Sequence, residues 1–217
     1  MDYKIEKITK NDEPLVNQFL RDNFYTSEPL NVAFRAKFNA TESLAANSNF
    51  ENIANGLSLK AVDGDGNILG VSLNTCPLEG RHIIVRKEIE GRREIMEEII
   101  KFLGLIDELS GVEKLIEKHH QSVLDVKILS VDAKHRQKGI GARLIEETIK
   151  TAEAHDIKAI TVGCSSYYTS VIVQHKFPNQ FRRVLTYPYS KYVDSNGEVV
   201  FKSAEPHVEY HVYFYER

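Results

Sequence analysis

The segment from Val123 to Lys150, VLDVKILSVDAKHRQKGIGARLIEETIK, leaves this chain few architectures to choose from. It opens on a run rich in Val, Ile and Leu, the pattern of a buried strand. A short basic loop carrying Gly139 and Gly141 follows. Ile140, Leu144, Ile145, Thr148, Ile149 and Ala152 then recur on one face of a helix, with Arg143, Glu146, Glu147, Lys150 and Glu153 on the other. A strand that passes through a Gly-rich loop into a helix needs neighbouring strands and a face for the helix to cover, which places the chain in the α/β class. The spacing predicts a strand over 123–131, a loop over 132–138 and a helix over 139–155. The loop is also a natural anion site, because the first N–H groups of a helix have no intrahelical acceptor and the helix dipole adds positive potential there.

Two common phosphate-binding folds are excluded by spacing. A dinucleotide-binding fold carries its glycines just after the first strand, with an acidic ribose partner about 20 residues later. Here the loop lies beyond the middle of the chain and lacks a third glycine. A nucleoside-triphosphate loop needs Lys-Ser/Thr after its last glycine, and Gly141 is followed by Ala142. What remains is an Arg-x-x-Gly-x-Gly loop, Arg136 to Gly141, after a strand ending in LSVD.

Elsewhere the pattern predicts a strand at Tyr3–Ile8 and a helix capped by Asn11 or Asp12, with Pro14 in its first turn and an end near Phe24. Within the segment Thr26–Phe34, Pro29 pushes Glu28 out of helical dihedrals, so Glu28 sits on an extended turn. A helical patch is expected between Thr41 and Ile53. LSLKAV and ILGVSLN flank DGDGN and form a hairpin. HIIVRK, within Leu78–Glu90, fits a short strand or a packed loop. Helices follow at Arg92–Leu109 and Val112–Lys118. After the central unit come a buried strand at Ile157–Val162, a polar turn at Cys164–Tyr168, a short helix at Thr169–His175, and strands at Phe181–Tyr187 and Val208–Tyr215. No repeat, low-complexity tract or linker interrupts the chain, so one domain over residues 1–217 is expected.

Charge and cysteines narrow the partners. The chain has 28 Lys+Arg against 31 Asp+Glu, a net charge of −3. Such a balance offers no bulk attraction to nucleic acid or an anionic membrane. Cys76 and Cys164 have neither metal-ligand nor redox spacing and fit reduced thiols in a cytoplasmic protein. The His119-His120 pair fits a solvated loop better than a metal site. No signal-peptide pattern opens the chain and no apolar run would span a bilayer. A monomer is expected.

Residues 126–142 resemble the acetyl-CoA signature of the GNAT superfamily of N-acetyltransferases. The resemblance implies that backbone amides across Arg136, Gln137, Lys138, Gly139, Ile140, Gly141 and Ala142 wrap the CoA pyrophosphate. A Cβ at the glycines would collide with the phosphates. It also implies that the strand edge at Leu129, Ser130 and Val131 pairs with the pantetheine amides as an added strand would. Four further blocks occur in a familiar order: SEPL (Ser27–Leu30), GVSLN (Gly70–Asn74), CSSYYTS (Cys164–Ser170) and GEVVFKSAEPHV (Gly197–Val208). Together with KILSVD they resemble the insect arylalkylamine N-acetyltransferases, which acetylate dopamine, serotonin, tryptamine, octopamine and related amines. The implied fold is a mixed, twisted sheet of about seven strands flanked by helices, splayed beside Leu129 to admit acetyl-CoA.

The chemistry sets further requirements. An amine is protonated at neutral pH and attacks a thioester only when neutral, so a base must take a proton directly or through water. The leaving thiolate in turn needs a proton. In the family a Glu in an x-Glu-Pro-Leu block is the base, a position held here by Glu28. Its serine block corresponds to Ser165 and Thr169, with hydroxyls on the proton path; Tyr168 is a fallback acid. Three departures bear on substrate choice: Ser27 stands where an Asp is common, Tyr167 where a His is, and Thr169 where a Ser is. A polyamine or other aliphatic amine is the alternative acceptor, for which Glu28, Glu42, Glu51 and Glu79 are candidate carboxylates. A non-catalytic CoA-binding module is a further alternative. No metal is implied.

Overall fold

The structure, a computed structural model, describes residues 2–38, 54–76, 94–202 and 205–217. The predicted Thr41–Ile53 helix, the HIIVRK segment and Glu42, Glu51 and Glu79 lie outside those residues. Seven strands form one sheet: β1 (Lys4–Lys7), β2 (Leu59–Val62), β3 (Ile68–Thr75), β4 (Val123–Val131), β5 (Ala159–Cys164), β6 (Arg182–Pro188) and β7 (Glu209–Glu216). Their order is β1-β2-β3-β4-β5-β7-β6, and β4–β5 is the parallel pair in an otherwise antiparallel ladder. The mixed seven-stranded α/β sheet expected from the sequence is therefore present.

Among the described residues six helices flank it: α1 (Glu13–Asn23), α2 (Pro29–Phe38), α3 (Glu94–Ser110), α4 (Val112–Lys118), α5 (Ile140–Ala154) and α6 (Tyr167–Lys176). The helical stripe on α5 buries Ile140, Leu144, Ile145, Thr148 and Ala152 against β2–β5, as its periodicity requires. α6 adds Val173 to the same layer. On the other face, α1 packs Val16, Phe19 and Leu20 on Val71 and Leu73, while α2, α3 and α4 share a core with the β6–β7 region. That core centres on Phe102, whose ring meets those of Tyr187, Tyr189, Tyr192, Phe201 and Tyr210 at 4.9–5.9 Å. No described helix is long and apolar enough to cross a membrane.

Three local features refine the expectations. Asp12 is the N-cap residue of α1, as expected, but its side chain makes no cap bond to that helix: it accepts the Thr9 N–H at 2.8 Å, closing a 3-10 turn over Lys10–Asp12, and its other oxygen takes the Lys60 ammonium at 2.6 Å. The extended turn at Glu28 is short, because α2 begins at Pro29. Proline suits the first helical position, where its missing N–H costs nothing and its φ is already helical. His119 Nε2 lies within hydrogen-bond distance of Glu216 Oε2, at 3.0 Å, instead of standing in solvent.

Candidate active site

The first half of the site is an opening in the sheet. β4 and β5 pair from Val123↔Ala159 to Val126↔Val162 and then part. β3 follows β4 further, to Gly70↔Val131, but skips one residue: Asn74 faces Val126 and Leu73 faces Ile128, leaving Lys127 as the extra residue of a bulge. A bulge bends its strand, and this one falls where the two strands separate. Beyond it one edge of β4 pairs with no described strand, and Ile128, Leu129 and Val131 are half-buried while Ser130 is buried. The predicted splay beside Leu129 is thus a feature of the strand register.

The loop that follows is shaped by its own side chains. Asp132 accepts the Lys134 N–H at 3.1 Å and bonds His135 Nδ1 at 2.7 Å, starting a 3-10 turn over Ala133–His135. Gln137 and Gly139 take left-handed backbone angles, φ +62° and +79°. Gly139 is the N-cap of α5, and the amides of Gly139, Ile140, Gly141 and Ala142 have no acceptor within the helix. The two glycines have different reasons to be there. A Cβ on Gly139 would meet nothing within 4 Å, so its constraint is the left-handed backbone. A Cβ on Gly141 would lie 3.0 Å from Ile172 Cδ1 and 3.7 Å from Val131 Cγ2, so its constraint is the approach of α5 to α6 and β4. Lys138 stays at the surface, donating to the Lys134 carbonyl at 3.2 Å.

The second half is built around Glu28, which stands immediately before α2. Its carbonyl accepts the Val32 N–H at 2.9 Å and its Oε2 accepts the Asn31 N–H at 2.8 Å, so the carboxylate caps the helix that Pro29 starts. Only 8% of the residue is exposed. Burial pushes the carboxyl up from its ordinary range. Hydrogen bonds from the Ser165 hydroxyl and from the Asn31 and Leu30 N–H groups, with the charge of Arg35, offset this only in part. A desolvated carboxyl with raised proton affinity beside a hydroxyl is the arrangement a general base needs near neutral pH.

Ser165 comes from the turn between β5 and α6, so the structure joins two residues 137 positions apart in the chain, 28 and 165. Its carbonyl accepts the phenol of Tyr189 at 2.8 Å. Tyr189 is 1% exposed, and burial first, then the nearby Glu28 charge, hold its phenol well above the ordinary range, so it stays a donor. Ser166 is the N-cap of α6 but makes no side-chain cap bond; the Tyr167 N–H donates instead to His207 Nδ1 at 3.2 Å. Thr169 is half-buried in the first turn of α6 and has no hydrogen bond to Glu28 or Ser165 among the described residues. Tyr168, 58% exposed, stands edge-on to His207 with centroids 5.4 Å apart. Cys164 is sealed in the strand end, 1% exposed, and burial drives its thiol far above the ordinary range, which removes it as a nucleophile.

Arg136 links the halves. Its guanidinium donates to the Val131 carbonyl and to the Ser27 hydroxyl, each at 3.3 Å, tying the glycine loop to the neighbour of Glu28. Asn31, Arg35, Tyr189 and His207 were not singled out from the sequence. Pro29 at a helix start could have revealed the cap that brings in Asn31, whereas nothing local in YPYSKY or EPHV announces a partner near residue 165. Among the described residues no group of three or more His, Cys, Asp or Glu side chains is placed to hold a metal.

No protein-family model matches the chain. Solved structures match it over its full length. Arylalkylamine N-acetyltransferase 2 from Aedes aegypti is 24% identical, with a TM-score of 0.84 and coverage of 100% of this chain and 99% of that one. Drosophila melanogaster polyamine N-acetyltransferase, an enzyme that forms N-acetylagmatine, is 21% identical at TM-score 0.80, with both chains covered completely. A mosquito arylalkylamine N-acetyltransferase, like 5b, is 17% identical at TM-score 0.82, again over both whole chains. At these identities the likeness establishes the fold, and that fold, from end to end, is the GNAT fold of the insect arylalkylamine and polyamine N-acetyltransferases.

Proposed function

We propose that this chain is an N-acetyltransferase that moves the acetyl group of acetyl-CoA to a small primary amine, with an arylalkylamine as the preferred acceptor. The observation that carries this reading is the buried Glu28 carboxyl, which accepts the Asn31 N–H, lies beside the Ser165 hydroxyl and is linked through Ser27 and Arg136 to the glycine loop. The residues present suit acetyl-CoA. Four unbonded amides at the start of α5 match a pyrophosphate, and the open edge of β4 from Lys127 to Val131 matches the amides of a pantetheine arm.

In this reading Glu28 takes a proton from the ammonium form of the acceptor. The freed nitrogen attacks the thioester carbon, the C–N bond forms and the C–S bond breaks; a neighbouring hydroxyl gives its proton to the leaving thiolate and takes the second proton from the nitrogen, and the proton held by Glu28 passes to solvent. Ser165 is favoured over Thr169 for that proton path because it is the hydroxyl bonded to Glu28. Direct transfer is favoured because the buried Cys164 thiol is unsuited to carry an acetyl group.

An arylalkylamine is favoured by the rim beside Ser165. Tyr167 and Tyr168 present 45% and 58% of their surface there and, with His207 and Val208, offer aromatic and apolar faces to a ring. A polyamine or agmatine acceptor is the second reading, supported by the likeness to the Drosophila enzyme. A CoA-binding module without catalysis leaves the Glu28 carboxylate only its cap on α2 to set against the cost of its desolvation. Release of free thiol from acetyl-CoA, measured over arylalkylamines, polyamines, agmatine and short peptides, tests the proposal. Turnover highest on an arylalkylamine is expected. Turnover confined to polyamines or agmatine replaces the acceptor, and no turnover on any amine removes the enzyme reading.

A further inference from the structure

The Ser165-Ser166 turn, between Cys164 at the end of β5 and Tyr167 at the start of α6, has no ladder of its own to fix it. It is held from outside at two points. Tyr189 Oη donates to the Ser165 carbonyl, and His207 Nδ1 accepts the Tyr167 N–H. Tyr189 and His207 are the two ends of one segment, the connection from β6 to β7. Those ends are fastened together, because the Tyr189 N–H donates to the Val208 carbonyl at 3.0 Å. The segment is anchored in turn: Tyr192 and Phe201 stack at 5.5 Å, and both rings, with Tyr189, pack on Phe102 of α3. The imidazole accepts the first N–H of α6, while the Ser166 side chain makes no cap bond.

We propose that the β6–β7 connection is a clamp, in which Tyr189 and His207 are positioning residues that hold the Ser165 hydroxyl on the Glu28 carboxylate. Both act through the backbone of the turn. The clamp rests on the acetyltransferase reading for its kinetic consequences, but its geometry does not depend on it. Tyr189 supplies a donor from inside the core, so removing its hydroxyl leaves a carbonyl without its partner. His207 supplies only an acceptor, which an amide oxygen can replace.

The Ser165 hydroxyl lies beside the Glu28 carboxyl and favours its ionised form. Loosening the turn weakens that interaction and raises the proton affinity of Glu28. The acid limb of kcat/KM then moves to higher pH, since the base works only when ionised. Tyr189→Phe is expected to lower kcat by about tenfold to a hundredfold, the scale of a small misplacement at a reacting centre. KM for acetyl-CoA should stay within about twofold, because the uniform binding of the donor is untouched. The acid limb should move in the direction that Ser165→Ala moves it, and the double variant should be no worse than Ser165→Ala alone, because both act on one bond. His207→Ala should reproduce the effect more weakly, and His207→Asn should recover most of it.

Carbon-detected NMR titration of the Glu28 carboxyl in the same variants reads the clamp without turnover. An upward shift in Tyr189→Phe and His207→Ala supports it; a Glu28 titration unchanged from wild type in both overturns it, as does full additivity with Ser165→Ala. If Tyr189→Phe does not fold, His207→Ala decides alone, since that side chain is half-exposed. A wild type inactive on every amine, in which these variants still shift Glu28, removes the transferase reading and leaves the clamp standing.

Discussion

The two halves of the site are made in opposite ways. The half proposed to hold the donor is one continuous stretch: β4 opens, the loop turns, and α5 presents its amides, all within 123–154. The half proposed to hold the acceptor is gathered from three places, the α1–α2 junction, the β5–α6 turn and the two ends of the β6–β7 connection, and it meets the first half through Arg136. A local site depends on backbone conformation and tolerates change around it. A gathered site depends on core packing far from the chemistry. Substitutions in the first should alter ligand affinity with little effect on stability, and substitutions in the second should couple activity to stability.

Glu28→Gln tests the gathered half most severely. If Glu28 is the base, kcat should fall by about a hundredfold to ten-thousandfold, the range a general base contributes, with acetyl-CoA affinity near wild type. The same change should stabilise the protein. A carboxyl whose proton affinity is raised on folding is destabilising once ionised. That penalty is absent below the ordinary carboxylate pKa, grows as pH rises from there to the raised folded value, and is constant above it. Thermal melts should therefore place Glu28→Gln above wild type at pH 7, with the gap closing toward acid pH. Unchanged turnover would show that the proton leaves by another group, and an equal or lower melting temperature at pH 7 would show that the helix cap outweighs the desolvation.

Gly163→Ala probes the packing beneath the acceptor half. Gly163 lies on β5 two residues before Ser165, and a Cβ there would sit 2.3 Å from the Tyr210 phenol oxygen. Tyr210 is buried in the cluster around Phe102, so it cannot simply swing clear. Overpacking of this kind costs about 1–3 kcal/mol. Chemical denaturation should show that loss, and kcat should fall with it because the displaced ring lies in the core that anchors the clamp. A destabilised variant with full kcat would separate the packing from the chemistry and break the contrast between the halves.

The same contrast explains what could be read in the sequence. β4, the loop and α5 were legible almost to the residue, because period, glycines and strand-to-helix order all act locally there. The pairing of β4 with β5, and so the place where they part, depends on strand register, which no local pattern carries. Glu28 and Ser165 came only by resemblance to a family, since a lone Glu before Pro and a pair of serines have ordinary structural uses. Tyr189 and His207 were not singled out: the Tyr189 phenol reaches the Ser165 carbonyl from within the aromatic core, and His207, although inside the GEVVFKSAEPHV block, meets the Tyr167 N–H across 40 positions of sequence. The helix α2 was missed by reading Pro29 as a breaker when it is a first-turn residue.

Gly139→Val acts on the local half. A β-branched residue at φ +79° is strained by about 1–2 kcal/mol. With no atom near its Cβ, the strain falls on the loop and not on the core. Calorimetric titration should show acetyl-CoA binding weakened by about fivefold to thirtyfold, the equivalent of that strain, with a melting temperature close to wild type. Unaltered affinity would remove the loop from the donor site.

Gly141→Ala is the mildest change and the most discriminating within the loop. Its Cβ would crowd Ile172 Cδ1, the end of a flexible side chain, while alanine gains up to about 1 kcal/mol over glycine inside a helix. The two effects nearly cancel, so stability should stay within about 1 kcal/mol of wild type. Packing alone then predicts acetyl-CoA affinity within about threefold. The expectation that a Cβ at each glycine would obstruct the phosphates predicts a loss well beyond that at Gly141 as well. A tenfold loss of affinity with unchanged stability would place the pyrophosphate against Gly141 itself. An unchanged affinity would confine that requirement to Gly139 and leave Gly141 as the residue that lets α5 close on α6.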